Sequence, residues 1–184
     1  MNENALIYRL KQSDMSAYND LFLLYKDSIY NTSLGFLQNE KDAEDILQEV
    51  FVEVYLSISK FRGESNLGTW LYRICVNKSL EHIRRNNRKK RFSFSLKSNN
   101  ENDLLNIADW VHPGVIAEQK DNAKHLFKAI KSLPEKQLIT FTLHKIECLS
   151  HKEIADITNQ SISAVETQIH RAKKSLEVKL KEIL

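Results

Sequence analysis

The stretch from Phe61 to Arg91, FRGESNLGTWLYRICVNKSLEHIRRNNRKKR, decides how this chain is read. It opens polar, with Gly63 and Gly68 relaxing the backbone and Ser65 and Asn66 supplying turn chemistry. From Thr69, a good N-cap residue, it reads as one helix. Apolar side chains recur at Trp70, Leu71, Ile74, Leu80 and Ile83, close to the helical period of about 3.6 residues. The far end is a run of cations: Arg84, Arg85, Arg88, Lys89, Lys90 and Arg91. Between Phe61 and Lys97, ten basic residues stand against two acidic ones, Glu64 and Glu81, whereas the whole chain carries only +3. Positive charge gathered on one element is the electrostatic footprint of nucleic-acid binding. A cationic helix end that merely complements its own dipole needs one or two Lys, not this cluster.

Length and composition set the frame. At 184 residues, 42% of them hydrophobic, the chain can form one domain or two small ones. Four Gly, two Pro and long helical periodicities predict an all-α protein. No apolar run approaches the roughly 18 residues of a membrane span. The start, MNENALIYRLKQSD, lacks a charged-then-apolar signal pattern, so a cytoplasmic protein is expected. Cys75 and Cys148 belong to no CxxC pair and read as reduced thiols. His144, His151 and His170 make no metal-ligand spacing with the cysteines, and no metal or other cofactor is expected.

Working outward toward the N-terminus, Ala5–Gln12 predicts a short helix broken at Ser13-Asp14. A second helix runs from about Ser16 through Leu37, with Ala17, Leu21, Leu24, Tyr25, Ile29 and Leu34 as its apolar stripe. Asn39 then caps a third helix whose buried side is Ala43, Ile46, Leu47, Val50, Val54 and Ile58. Asp42, Asp45, Glu49 and Glu53, spaced three, four and four apart, line another side. A metal or acid–base site is a poor reading of them, because no His is interleaved. A plain solvated face is the ordinary alternative. Docking on a basic protein surface fits better beside a cationic helix, since complementary charge steers and registers an interface.

DAEDILQEVF at 42–51 followed by FRGESNLGTWLYRICVNKSLEHIRR at 61–85 resembles the second conserved region of bacterial sigma factors of the extracytoplasmic-function (ECF, group IV) type. The resemblance implies that the acidic helix, with Asp42, Asp45, Gln48 and Glu49, binds the clamp helices of the largest subunit of core RNA polymerase. It implies that the Phe61–Gly68 loop, with Arg62, Ser65 and Asn66, captures a base flipped from the −10 promoter element. Trp70, Arg73, Asn77, Arg84 and Arg85 would then hold the edge of the melted duplex. The chemistry agrees: a flipped base costs a few kcal/mol of unstacking, which hydrogen bonds from free loop groups offset. Trp70 fits both a stacking platform, worth about 1–3 kcal/mol per base, and a core residue at the helix start.

Residues 92–114, FSFSLKSNNENDLLNIADWVHPG, have no sustained period and read as a linker. Leu104, Leu105, Ile107 and Trp110 depart from a purely polar tether. The acidic balance of the segment fits the family's pattern of linkers that thread polymerase channels. A second domain over 115–184 is expected to begin with a helix to Ser132, with Ile116, Ala123, Phe127 and Ile130 inward. Pro134 opens the next helix, through Leu138, Phe141 and Leu143 to about Cys148. Ser150 with Glu153 is a capping box. A short helix, the turn Thr158-Asn159-Gln160 and a longer helix from Ser161 follow helix-turn-helix logic, with Ile162, Val165, Ile169, Ala172 and Leu176 inward. LPEKQ, LSHKEIAD and SAVETQIHRAKKSL in that order resemble the family's fourth conserved region. Ser163, Glu166, Thr167, Gln168, His170, Arg171 and Lys174 would read the −35 element. Glu166 and Gln168 stand where relatives often carry basic residues, and Ser163 where Gly is frequent.

The resulting expectation is an all-α chain with residues 1–91 as polymerase-docking and −10 domain, a linker, and a −35 domain. Its partners would be core RNA polymerase and promoter DNA, with an anti-sigma factor as a possible third; it would catalyse nothing itself. Two rivals are a helix-turn-helix repressor acting without polymerase, and a metal-dependent DNA-processing enzyme using the 42–53 carboxylates.

Overall fold

A computed structural model describes residues 2–96 and 119–181. The first domain packs α1 (Glu3–Lys11), α2 (Met15–Leu37), α3 (Glu40–Ser57) and α4 (Leu67–Leu96), with a 3-10 turn at Ile58–Lys60. The second packs α5 (Gln119–Lys131), α6 (Glu135–Lys145), α7 (His151–Thr158) and α8 (Ile162–Lys181). No strand occurs among the described residues. The all-α, two-domain expectation holds.

Local chemistry starts and stops these helices where polar side chains can satisfy the free backbone groups of helix ends. Asp14 accepts from Ser16 N (2.9 Å) and Ala17 N at α2, and Asn39 from Asp42 N (2.9 Å) at α3. The Ser150–Glu153 capping box is complete at α7, and its hydrogen bonds hold the Glu153 carboxyl below the usual range. Left-handed Asn159 closes α7 and sets the turn to α8. The cap of α4 differs from the expectation. Asn66, not Thr69, takes the role: its Oδ1 accepts from Thr69 N at 2.6 Å, and the helix begins at Leu67. An amide placed three residues ahead outcompetes a threonine whose own N–H then falls inside the helix. Gly68 consequently lies in the first turn of α4, where a Cβ would come within 3.3 Å of the Tyr25 ring, while Gly63 takes a positive φ, +74°.

One core runs through the first domain, from Leu6, Leu10, Leu21 and Ile29 to Ile46, Val50, Val54, Leu67 and Leu71. Cys75 lies fully buried within it, its Sγ 3.3 Å from Ser33 Oγ, and burial pushes its thiol pKa up to about 12. It is therefore a neutral packing group. Cys148, by contrast, is exposed. Two residues assigned inward are not. Leu24 is 58% exposed, although Ala17 and Leu21 on the same side of α2 are fully buried. Ile162, the first residue of α8, is 46% exposed, since little covers that opening turn. α6 ends at Lys145, short of Cys148, whose φ of +53° cannot continue a helix. α4 continues to Leu96, so residues 92–96, the start of the expected linker, are helical. The rest of that segment, including Leu104, Leu105, Ile107 and Trp110, lies outside the described residues, as does Ile116.

The two domains touch. α6 crosses α2, and α7 crosses α4. Gly35 permits the first crossing: a Cβ there would meet Ile146 Cδ1 at 2.3 Å and Thr142 Cγ2 at 2.9 Å.

Candidate nucleic-acid interface and docking face

α3 carries its acidic side chains beside a surface that is unexpectedly apolar. Asp45, Gln48 and Glu49 are exposed. Val52, Tyr55 and Leu56 on the same helix are 51–66% exposed, outside the buried period of Ala43, Ile46, Val50 and Val54. Tyr18 packs against Tyr55, and Phe22 against Phe51, each pair with ring centroids 5.0 Å apart, so the apolar surface extends onto α2. Asp42 is set apart from its acidic neighbours. Its Oδ2 lies 3.3 Å from Nε2 of the nearly buried His82 on α4, while Glu53 pairs with Lys78 at 3.3 Å. Asp45, Gln48, Glu49, Val52 and Leu56 share one groove with Lys78, His82 and Arg85 of α4.

The predicted −10 residues divide between two sides of α4. Arg85 faces the α3 groove, its guanidinium 3.2 Å from His82 Nδ1. Arg73, Asn77 and Arg84 line a different groove, shared with Glu64 of the loop and with Glu135, Asn159 and Gln160 of the second domain. Arg73 donates twice to the Asp156 carbonyl (3.2 and 2.6 Å), and Arg84 reaches both carboxylate oxygens of Glu135 (3.2 and 2.6 Å). Asn77 is exposed, and Trp70 is half-buried against Phe61, ring centroids 5.0 Å apart, at the margin of the core. In the loop, Arg62 and Asn66 are exposed and Ser65 is partly covered; Arg62 makes only a loose pair with Glu64 at 3.7 Å. Asn66 spends its carbonyl oxygen on the α4 cap, leaving its NH₂ group as its available hydrogen-bonding group.

On α8, Ser163, Glu166, Thr167, His170, Arg171 and Lys174 are all exposed along one side, with Gln168 half-buried at its edge. Glu166 Oε1 lies 3.4 Å from His151 Nδ1. His144 and His151 stack with ring centroids 5.1 Å apart, and no group of three metal-ligating side chains occurs among the described residues.

Comparison with known proteins fits this architecture. The family model "Sigma-70 region 2" matches residues 21–89, which hold α2, α3, the loop and most of α4. "Sigma-70, region 4" matches residues 125–176, from α5 into α8. The chain is 32% identical over 181 residues to the ECF RNA polymerase sigma factor SigW of Bacillus subtilis, covering 96% of each chain. The chain belongs to the ECF RNA polymerase sigma factors. The ECF sigma-E factor of Haemophilus influenzae is 30% identical over 186 residues, covering all of this chain and 98% of that one. Among solved structures, CnrH in complex with the cytosolic domain of CnrY superposes with a TM-score of 0.70 at 19% identity, covering 98% of this chain and 97% of that one. The Bartonella quintana sigma factor RpoE, solved with the anti-sigma factor NepR, gives 0.67 at 21%, covering 89% and 96%. This sigma factor thus directs polymerase to promoters, and the polymerase-independent repressor is not favoured.

Sequence reasoning missed two sets of residues. Val52, Tyr55 and Leu56 had a visible signal, being apolar yet off the helix's buried period. Glu135, Glu147 and Asp156, which meet α4 from the second domain, had none, because no local pattern announces a contact across 50 or more residues.

Proposed function

We propose that this sigma factor binds core polymerase through Asp45, Gln48 and Glu49 of α3, with Asp42 held back by His82 as a support. The exposed apolar set Val52, Tyr55 and Leu56 supplies the desolvated centre of that contact, and the carboxylates its rim. The clamp helices of the largest polymerase subunit are the partner. Arg62, Ser65 and the Asn66 NH₂ group receive a flipped −10 base; Trp70, Arg73, Asn77, Arg84 and Arg85 hold the adjoining strand. Ser163, Glu166, Thr167, Gln168, His170, Arg171 and Lys174 read the −35 duplex from the major groove. The first domain ends with α4, a tether follows, and the second domain carries the helix-turn-helix. The protein acts in the cytoplasm and contributes binding, not catalysis; an anti-sigma protein is its natural antagonist.

The observation that carries this reading is the groove in which an acidic, apolar-flanked α3 runs beside the cationic α4. Gel filtration with purified core polymerase tests it. Co-elution is expected, together with weak binding to duplex promoter by the factor alone. A repressor would elute apart from polymerase and hold duplex operators unaided.

A further inference from the structure

The capture loop is pinned at both ends by the N-terminal helix. Lys11 Nζ donates to the Phe61 carbonyl at 2.8 Å, where the loop leaves the 3-10 turn. Glu3 Oε1 accepts from Leu67 N at 2.7 Å, where the loop enters α4. Leu67 N–H is one of the free amides of a helix N-terminus, and a carboxylate there is favoured by the helix dipole. Phe61 and Leu67 are themselves buried, at 6% and 1% exposure. Among the described residues, the five between them, 62–66, hydrogen-bond beyond the loop only through Asn66, to the first turn of α4. Asn66 holds only its own helix, and Gly63 bends the tip at positive φ. The loop is thus a span free in the middle and fixed at its ends by two charged hydrogen bonds from one rigid helix.

We infer that Glu3 and Lys11 are positioning residues for the −10 loop: they set its span so that Arg62, Ser65 and Asn66 meet an extruded base in one geometry. The inference rests on the −10 reading above. It assigns to α1 a role outside both matched family regions. A directly DNA-binding Lys11 would behave differently, because losing a phosphate contact weakens all sequences alike and lowers the salt slope.

Glu3→Gln and Lys11→Met in the full-length factor, each complexed with core polymerase, test this on single-stranded −10 oligonucleotides. The readouts are the affinity ratio between preferred and base-substituted strands, and hydrogen exchange of the Leu67 amide and residues 62–66. Faster exchange and a ratio reduced by about fivefold to tenfold are expected in both variants, with core binding unchanged. Glu3→Gln adds net positive charge, so a simple electrostatic effect would raise affinity instead. Unchanged exchange, or faster exchange with an unchanged ratio, overturns the inference. A wild type that shows no base preference at all would instead overturn the −10 reading.

Discussion

The two long faces of the first domain differ in what covers them. The α3 face presents Asp45, Glu49, Tyr55 and Leu56 to solvent, with no second-domain partner among the described residues. The α4 edge bearing Arg73 and Arg84 is occupied by Asp156 and Glu135. The contrast teaches that one surface is ready for a first encounter while the other is engaged within the chain. A docking face that is apolar at its centre and acidic at its rim gains from steering by a basic partner. An edge carrying cations attracts any carboxylate nearby until nucleic acid displaces it. The order of events this suggests is polymerase first, promoter second.

Reversing the exposed face should have the largest effect. Asp45→Lys with Glu49→Lys is expected to leave helicity intact and reduce core-polymerase affinity by about a hundredfold or more, read by co-elution. Retained co-elution would remove α3 from the interface. Next in size is a change beneath both faces. Leu71 is fully buried between them, so Leu71→Ala should cost the first domain about 2–5 kcal/mol in chemical denaturation. Polymerase and −10 binding should fail together there, unlike the separable losses from surface variants.

The second domain offers a smaller, sharper contrast. Glu166→Ala should alter base preference at one −35 position by about 1–3 kcal/mol and raise non-specific affinity, because a carboxylate can accept from a cytosine amino group but repels phosphate. Arg171→Ala should weaken binding. Selection of −35 variants reads both; identical preferences would mean that Glu166, held 3.4 Å from His151, serves α7 rather than DNA.

The smallest effect is a pH dependence of domain seating. Burial raises the Glu147 carboxyl above its usual range, against the hydrogen bond from Tyr72. The facing groups are Tyr72 and Cys75 of α4 and Ser28 and Thr32 of α2, none of them cationic. A raised carboxyl favours the protonated form, so closure is most stable below the ordinary carboxylate pKa. It weakens as pH rises from there through the raised value. Scattering across that window should show expansion with rising pH, flattened in Glu147→Gln; a wild-type profile as flat as the variant's would contradict it.

Much of this was legible in the sequence, for a physical reason. Helix number, the capping box at Ser150 and the inward sets at Ile154–Ile157 and Val165–Leu176 rest on spacing within a few residues. The charge split between α3 and α4 is likewise written along the chain. What escaped depends on distance or competition. Asn66 displaced Thr69 as the cap, a choice between two adequate residues. Leu24 was placed inward by a stripe that drifts around 23 residues of helix. The brace by Glu3 and Lys11 joins residues 64 and 50 apart, which no periodicity reports.

Run-off transcription from a library of promoter fragments, with purified core polymerase and the full-length chain, tests the central claim most directly. Discrete transcripts that require the chain are expected, each starting at a fixed distance downstream of shared −10 and −35 sequences and lost in the Asp45→Lys, Glu49→Lys variant. Core polymerase transcribing identically with and without the chain, or the charge-reversed variant retaining full activity, would contradict it.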